Sequence, residues 1–286
     1  MLIKEINEIR KVIKEWKKEG LTVGYVPTMG FLHEGHKSLI KRAVKENDRV
    51  IVSVFVNPTQ FGPNEDYDSY PRDINKDLKL CEKTGANIVF NPNPDEMYFD
   101  NRSTTVSVSG LTNVLCGLKR PGHFDGVCLV VSKFFNIITP DRAYFGQKDA
   151  QQVAVIKRMV RDLSIDIEIV TCPIIREEDG LAKSSRNTYL SEEERKAALI
   201  LSKSLLKAKE KLEKGERNPQ IVKSIIKDLI NSEPLAKIDY VELVDDDSLE
   251  NIEYIDKNIL IAIAVYIGKT RLIDNFTFNI KKRMVF

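Results

Sequence analysis

The sequence predicts an α/β fold, a Rossmann-like parallel sheet domain followed by a smaller C-terminal α+β domain. Three observations carry this. Short apolar, β-branched runs alternate with amphipathic stretches of helical period through the first 170 residues, as buried parallel strands and crossover helices require. Polar, chemically distinctive segments follow several of these runs, around His33, Asn57 and Gln147. Near Pro173 the alternation ends and a Lys/Glu-rich helical stretch begins. The boundary is therefore placed between 175 and 176, giving domains 1–175 and 176–286. At 286 residues the chain is long for one core and comfortable for two.

In order, Ile6, Ile9, Val12, Ile13 and Trp16 recur at helical spacing, with Gly20 as a stop. Residues 22–26 form a short buried strand, and His33 and His36 open the next amphipathic helix, continued by Leu39, Ile40, Ala43 and Val44. Residues 49–56 are the second strand. Residues 57–71, rich in Asn, Pro, Gly and Asp, form a long polar loop of the kind that usually carries function. A helix over 73–84 and a strand over 86–90 complete a βαβαβ half. After an irregular region, 91–126, the pattern predicts a helix (127–138), a strand (142–146), a helix (149–163) and a strand (166–170). Beyond the polar connector 174–187, Ser191 and Glu194 have the spacing of a capping box opening a long helix. A helix at 220–231 and strands at 238–244, 259–266 and 271–276 follow.

Composition restricts the partner. Hydrophobic residues are 42% and charged residues 30%, as in a globular protein with a sizeable core. The 44 basic and 42 acidic side chains leave a net charge of +2, which speaks against a nucleic-acid footprint and for a small-molecule partner in a local basic pocket. Cys81, Cys116, Cys128 and Cys172 are widely spaced, without a C-x-x-C pair, and read as reduced structural thiols. No leader-like or membrane-length apolar run is visible, so a cytoplasmic protein without membrane partners is expected. Lys281, Lys282 and Arg283 read as a solvated tail.

Two of the three histidines lie in Pro27-Thr-Met-Gly-Phe-Leu-His-Glu-Gly-His36, between a strand end and a helix start. Backbone N–H groups at a helix N-terminus favour phosphate, and nearby imidazoles add donors or charge. There is neither a G-x-x-x-x-G-K-[ST] nor a G-x-G-x-x-G element, so another phosphate device is needed. A zinc site remains an alternative for the pair, although no H-E-x-x-H or evident third ligand accompanies it. A simple pair of helix-start histidines is the other.

This stretch resembles the H-x-G-H nucleotidyltransferases, and within them the pantothenate synthetase family. The supporting segments are Val56-Asn-Pro-Thr-Gln-Phe61, Tyr70-Pro-Arg-Asp73, His123-Phe-Asp-Gly-Val127, Tyr144-Phe-Gly-Gln-Lys-Asp-Ala-Gln-Gln152 and Lys183-Ser-Ser-Arg-Asn187, in the family's order across most of the chain. The resemblance implies a ligase that uses ATP and Mg2+ to join pantoate to β-alanine through a pantoyl adenylate. It implies an ATP cradle of Met29, Gly30, Phe31, Leu32, His33, Glu34, Gly35 and His36, with His36 as the family's proton donor, acting chiefly by stabilising phosphate charge, and His33 sharing that work. Lys148 corresponds to the phosphate-binding lysine, within Gly146, Gln147, Lys148 and Asp149. Lys183, Ser184, Ser185 and Arg186 resemble a second phosphate clamp, and the backbone of Ile175 would meet adenine. Gln60 and Gln152 match the pantoate contacts, and Gln60 also meets β-alanine. Asp77, by its offset after Tyr70-Pro-Arg72, is the candidate magnesium ligand, with Asp149 the alternative.

The dull readings stand beside these: a surface lysine for Lys148, a plain turn for Ser184 to Arg186, exposed polar groups for the glutamines. The family further implies a homodimer and a C-terminal domain that closes over the crevice. A related adenylyl transferase with a phosphorylated acceptor and a non-catalytic nucleotide-binding module are the competing functions.

Overall fold

A computed structural model describes residues 1–63 and 65–280. Lys281, Lys282 and Arg283 lie outside the described residues. Two compact units are present, Met1–Ile175 and a second beginning at Arg176.

The first unit runs β1 (Leu2–Ile3), α1 (Ile6–Lys18), β2 (Val23–Thr28), α2 (Glu34–Glu46), β3 (Arg49–Val54), α3 (Ile74–Thr84), β4 (Ile88–Phe90), α4 (Pro94–Met97), α5 (Leu115–Lys119), α6 (His123–Ile138), β5 (Arg142–Gly146), α7 (Ala150–Asp162) and β6 (Glu168–Cys172). Every strand pairing is parallel, in the order β1-β4-β3-β2-β5-β6. The chain thus builds outward from β2 through β3 to β4, then returns to the other side of β2 with β5. Between β2 and β5 the direction of building reverses, and the carboxyl ends of strands flanking such a point are where open α/β sheets bind ligands.

Both sheet faces are covered, which explains why the strands read as continuous apolar runs. Val26, Val50, Val52 and Val54 point to one face and pack with Leu39, Ile40 and Ala43 of α2 and Cys81 of α3. The alternate residue Tyr25 points to the other, where its ring lies 5.8 Å from Phe134 of α6 and its hydroxyl pairs with Ser53 at 2.7 Å.

Several elements of the first unit depart from expectation. β1 has only two residues and no period of its own; it exists by pairing Leu2 with Val89 and Ile3 with Phe90. Helix α6 begins at His123 rather than 127, so that it contains Gly126. The last parallel strand occupies Glu168–Cys172, two residues later than expected. The region 91–126 holds the short helices α4 and α5.

The second unit contains α8 (Glu192–Ala197), α9 (Leu199–Glu213), α10 (Pro219–Asn231) and an antiparallel sheet β7 (Ala236–Asp245), β8 (Ile259–Ile267) and β9 (Thr270–Phe278). The single expected Lys/Glu-rich helix is two, meeting at Ala198. Its capping box is present: Glu194 N–H donates to Ser191 Oγ (3.2 Å) and Ser191 N–H to Glu194 Oε2 (2.8 Å). Leu201, Leu205 and Leu212 of α9, with Val222, Ile226 and Ile230 of α10, pack on Ile259, Ile261 and Ile263 of β8. Arg176 closes the start of this unit with a bidentate pair to Asp274 of β9 (2.7 and 2.9 Å), and its guanidinium also donates to the Gly180 carbonyl. A fork that satisfies both carboxylate oxygens suits an aspartate as buried as Asp274.

Candidate active site

At the end of β2 the chain makes a strained turn before α2. Gly30 has φ +84°, and a Cβ there would lie 2.9 Å from Val54 and 3.0 Å from Asp77 Oδ2. Phe31 follows with φ +50°, a conformation L side chains rarely adopt. What holds it is Asp77 of α3. Its Oδ2 accepts from Phe31 N–H at 2.9 Å and its Oδ1 from Leu32 N–H at 2.7 Å. Asp77 is 1% exposed, and burial raises its pKa against these two bonds.

This geometry does not fit the expected role of Asp77 as a magnesium ligand. The carboxylate is turned inward, and each oxygen is engaged by the loop backbone. Among the described residues no group of three or more His, Cys, Asp or Glu is arranged to hold a metal. Asp77→Asn is expected to leave one loop N–H facing an amide NH2, costing about 1–3 kcal/mol. Urea unfolding measures the loss, and the KM for ATP should rise with it.

The two histidines cap α2 reciprocally. His33 is the N-cap; its Nδ1 accepts from Gly35 N–H at 3.1 Å, while His36 Nδ1 accepts from His33 N–H at 3.3 Å. Both Nδ1 atoms are acceptors, so each ring is neutral with its proton on Nε2. The rings lie 4.1 Å apart, and burial first, then the charge a protonated His33 would carry and the Lys148 ammonium, hold the His36 pKa well below that of an ordinary imidazole. The structure therefore places two neutral imidazoles, each with its proton on Nε2, at a helix N-terminus. Glu34, in the same first turn, directs its carboxylate to Lys37 at 2.9 Å.

Lys148 stands in the tight turn Gln147–Asp149 between β5 and α7, next to Gly146, and its charge acts on His36. The ends of β2 and β5 thus bring together residues more than 100 positions apart. The long loop after β3 joins them. Gln60 ends a short turn, Pro58–Gln60, and is buried, with Nε2 3.3 Å from Met29 Sδ and Oε1 accepting from Asn57 Nδ2 at 3.0 Å. Asn57 is itself oriented: Oδ1 accepts from Tyr98 Oη at 2.8 Å and from Thr59, while Nδ2 also donates to the Gly126 carbonyl at 3.1 Å. Gln60 therefore presents its Nε2–H side.

Of the adjacent pair in α7, Gln151 is consumed structurally. Its Nε2 donates to the carbonyls of Leu111 and Val114, both at 2.8 Å, and its Oε1 accepts from Cys116 N–H at 2.9 Å. Gln152, one residue on, has a different direction along the same helix and is half-buried.

The segment His123-Phe-Asp-Gly-Val127 supports the family resemblance without giving His123 a role. His123 Nδ1 donates to the Gln60 carbonyl at 2.8 Å, and its Nε2 accepts from Arg120 Nη1 at 3.0 Å. Burial first, then Arg120, lower its pKa to about 4. The unfolded chain takes up this proton near 6.5 while the folded chain refuses it until about 4. Stability from this group is therefore complete above pH 6.5 and falls as pH drops toward 4, by about 3 kcal/mol in total. His36 acts in the same direction. Denaturant midpoints at pH 7 and 4.5 should show a smaller fall for His123→Asn than for the unaltered chain.

In the second unit, Ser184 caps the turn Ser185–Tyr189, with Oγ accepting from Arg186 N–H at 3.3 Å, and Ser185 is buried. Lys183 forms an ion pair with Glu177 at 2.6 Å. The carboxylate of Glu177 thus competes with any phosphate for that ammonium. Ile175 is the last residue of the first unit.

Residues 1–277 match the family described as Pantoate-beta-alanine ligase. The chain belongs to this family. A pantothenate synthetase from Clostridioides difficile strain 630 is 69% identical over 280 residues, covering 98% of this chain and 99% of its own. The pantothenate synthetase of Thermus thermophilus superposes with a TM-score of 0.92 at 42% identity, covering 96% of this chain and 98% of that one. The pantoate-β-alanine ligase of Francisella tularensis, solved with a β,γ-ATP compound and β-alanine, gives a TM-score of 0.78 at 35% identity over 96% and 97% of the two chains. Family membership and the parallel sheet with its small antiparallel companion agree with the sequence-based expectation. Among the described residues no helix is long and apolar enough to cross a membrane.

Proposed function

We propose that this chain condenses pantoate with β-alanine, using ATP and releasing AMP and pyrophosphate. The observation that carries the reading is the convergence of the His33/His36 pair, Lys148 and Gln60 at the reversal point of the sheet, in a chain of this family.

In the first step a pantoate carboxylate oxygen forms a bond to the α-phosphorus of ATP, and the bond from that phosphorus to the pyrophosphate oxygen breaks. Negative charge grows on the departing pyrophosphate. The N-terminal amides of α2, the Nε2–H groups of His33 and His36, and the Lys148 ammonium are the preorganised groups that meet it. Gln60 and Gln152 hold pantoate, and the Nε2–H group of Gln60, which in this structure lies against Met29 Sδ, bonds an oxygen acceptor. In the second step the β-alanine nitrogen attacks the acyl carbon, the bond to the AMP oxygen breaks, and the amine releases a proton.

In this reading Met29 to His36, Gly146 to Asp149, Ile175, Lys183, Ser184, Ser185 and Arg186 are the nucleotide-binding set. Lys183 would exchange Glu177 for a phosphate oxygen in this role. Magnesium is expected with the phosphates, where it keeps most of its waters and needs few protein ligands. Asp77 is not assigned to it. The partners are small molecules, with neither nucleic acid nor a membrane, consistent with a net charge of +2. A cytoplasmic homodimer, as the family resemblance implies, completes the proposal, and light scattering tests its oligomeric part.

The deciding experiment is exchange of labelled pyrophosphate into ATP with magnesium, β-alanine omitted. Exchange that requires pantoate supports the adenylate, and addition of β-alanine should then yield pantothenate and AMP in equal amounts. No exchange, with pantoate and ATP both shown to bind, would remove the stepwise mechanism.

A further inference from the structure

We infer that Arg120 and His123 are positioning residues that clamp the backbone of Gln60 and so set where pantoate is held, an inference that rests on the proposed function. The two come from the irregular segment before α6 and its first residue, Gln60 from the loop after β3. The hydrogen bonds between them run in one direction only. His123 Nδ1–H donates to the Gln60 carbonyl at 2.8 Å, and His123 Nε2 accepts from Arg120 Nη1 at 3.0 Å. Because an arginine only donates, the imidazole must accept at Nε2 and carry its proton on Nδ1.

Arg120 is fixed in turn by Glu65, whose carboxylate receives Nε at 2.6 Å and Nη2 at 2.5 Å; Nη2 also approaches the Gln60 carbonyl at 3.4 Å. Glu65 Oε2 further accepts from Gly62 N–H at 3.2 Å. Glu65 and the Gln60 carbonyl are thereby both tied to one guanidinium. The pair is mostly screened from solvent, with side-chain exposures of 17% for Arg120 and 25% for Glu65, and His123 is 9% exposed. The planar fork suits this place, since Nε and Nη2 meet the carboxylate while Nη1 reaches the imidazole on the other side, a spread that a compact ammonium lacks.

The clamp acts on the residue whose side chain is already oriented by Asn57. With Oε1 held by Asn57 and the carbonyl held by His123, Gln60 keeps only its Nε2–H side for a ligand. Loosening the carbonyl lets the amide wander while the nucleotide cradle, anchored separately by Asp77, stays in place. The clamp therefore predicts a change specific to pantoate.

Two substitutions separate the two ring nitrogens. In His123→Asn the amide NH2 occupies the Nδ1 position and can still donate to Gln60; in His123→Gln the terminal amide reaches toward Nε2 and the Nδ1 donor is lost. The pantoate KM of H123N is expected to stay within about threefold of the unaltered chain, and that of H123Q to rise about tenfold or more, with the ATP KM unchanged in both. Arg120→Lys should behave as H123Q. A purely structural histidine would instead raise both KM values together or lower Tm without a split between the variants. Either result, or an unchanged pantoate KM in H123Q, overturns the clamp.

A second measurement is independent of turnover. The chain has three histidines, and 15N-histidine labelling of the full chain near pH 7.5 should show one ring protonated at Nδ1, lost in H123N, and two protonated at Nε2. An Nε2-protonated His123 overturns the clamp. Absence of pantoate-dependent exchange in the unaltered chain would instead overturn the functional reading, while the spectrum still decides the geometry.

Discussion

Replacing His36 by asparagine is expected to lower pantoate-dependent pyrophosphate exchange about a hundredfold to a thousandfold, the range found when one preorganised donor to a developing anion is removed. Thermal stability should change little. The reason is that His36 does two jobs with two atoms. Its Nδ1 accepts the His33 N–H and closes the reciprocal cap, whereas Nε2–H is the atom left for phosphate. Asparagine places Oδ1 at the Nδ1 position, so the cap persists, and supplies nothing at Nε2.

The same geometry refines the family's description of this histidine as a proton donor. A ring held neutral by burial and by the Lys148 ammonium has no second proton to release near neutral pH. In our reading it donates a hydrogen bond to the phosphates and keeps its proton. The rate of exchange should consequently show no fall above pH 6.5 attributable to His36. If H36N kept full exchange, the phosphate role of His36 would be withdrawn; if it merely unfolded, the two-atom account would be wrong.

Gly126→Ala should have the second large effect, on both stability and pantoate binding. A Cβ on Gly126 would overlap the Thr59 carbonyl oxygen outright, and would lie 2.5 Å from its carbon and 2.6 Å from the Gln60 nitrogen. All three are backbone atoms, so no rotamer change relieves the overlap. Either α6 retreats or the Pro58–Gln60 turn moves, at a cost of about 1–3 kcal/mol. Retreat also stretches the bond from Asn57 Nδ2 to the Gly126 carbonyl, which orients Gln60. Calorimetry and the pantoate KM should respond together. Gly62→Ala is the control for stability, because its added Cβ would meet only the Glu65 side chain, no nearer than 3.7 Å.

Much of the candidate site was legible in sequence because its signals are local. A strand end, Gly30, and two histidines three apart already state a helix N-terminus with imidazoles on it, and Ser191 with Glu194 states another start within four residues. Gln60 and Lys148 needed the family's motifs, since a lone Gln or Lys carries no period. Gln151 and Gln152 show the limit: neighbours in sequence, one is saturated by loop carbonyls and amides, a fact fixed by residues 35–40 positions away.

The sequence by itself determined the alternation of buried strands and helices, the change of architecture near residue 175, and the grouping of histidines at one turn, because each is written in spacings of two to four residues. Only the tertiary structure decided what depends on distant partners. The pairing of Leu2–Ile3 with β4 made a strand of two residues. The approach of the Thr59 backbone explained a glycine inside α6 and moved that helix's start to His123. Asp77, which its offset suggested for metal, was turned inward by two backbone N–H groups 45 and 46 residues away. Hydrogen-bond direction is a property of the partner as well as the residue, so a carboxylate or an imidazole acquires its role only when the fold supplies the other atom.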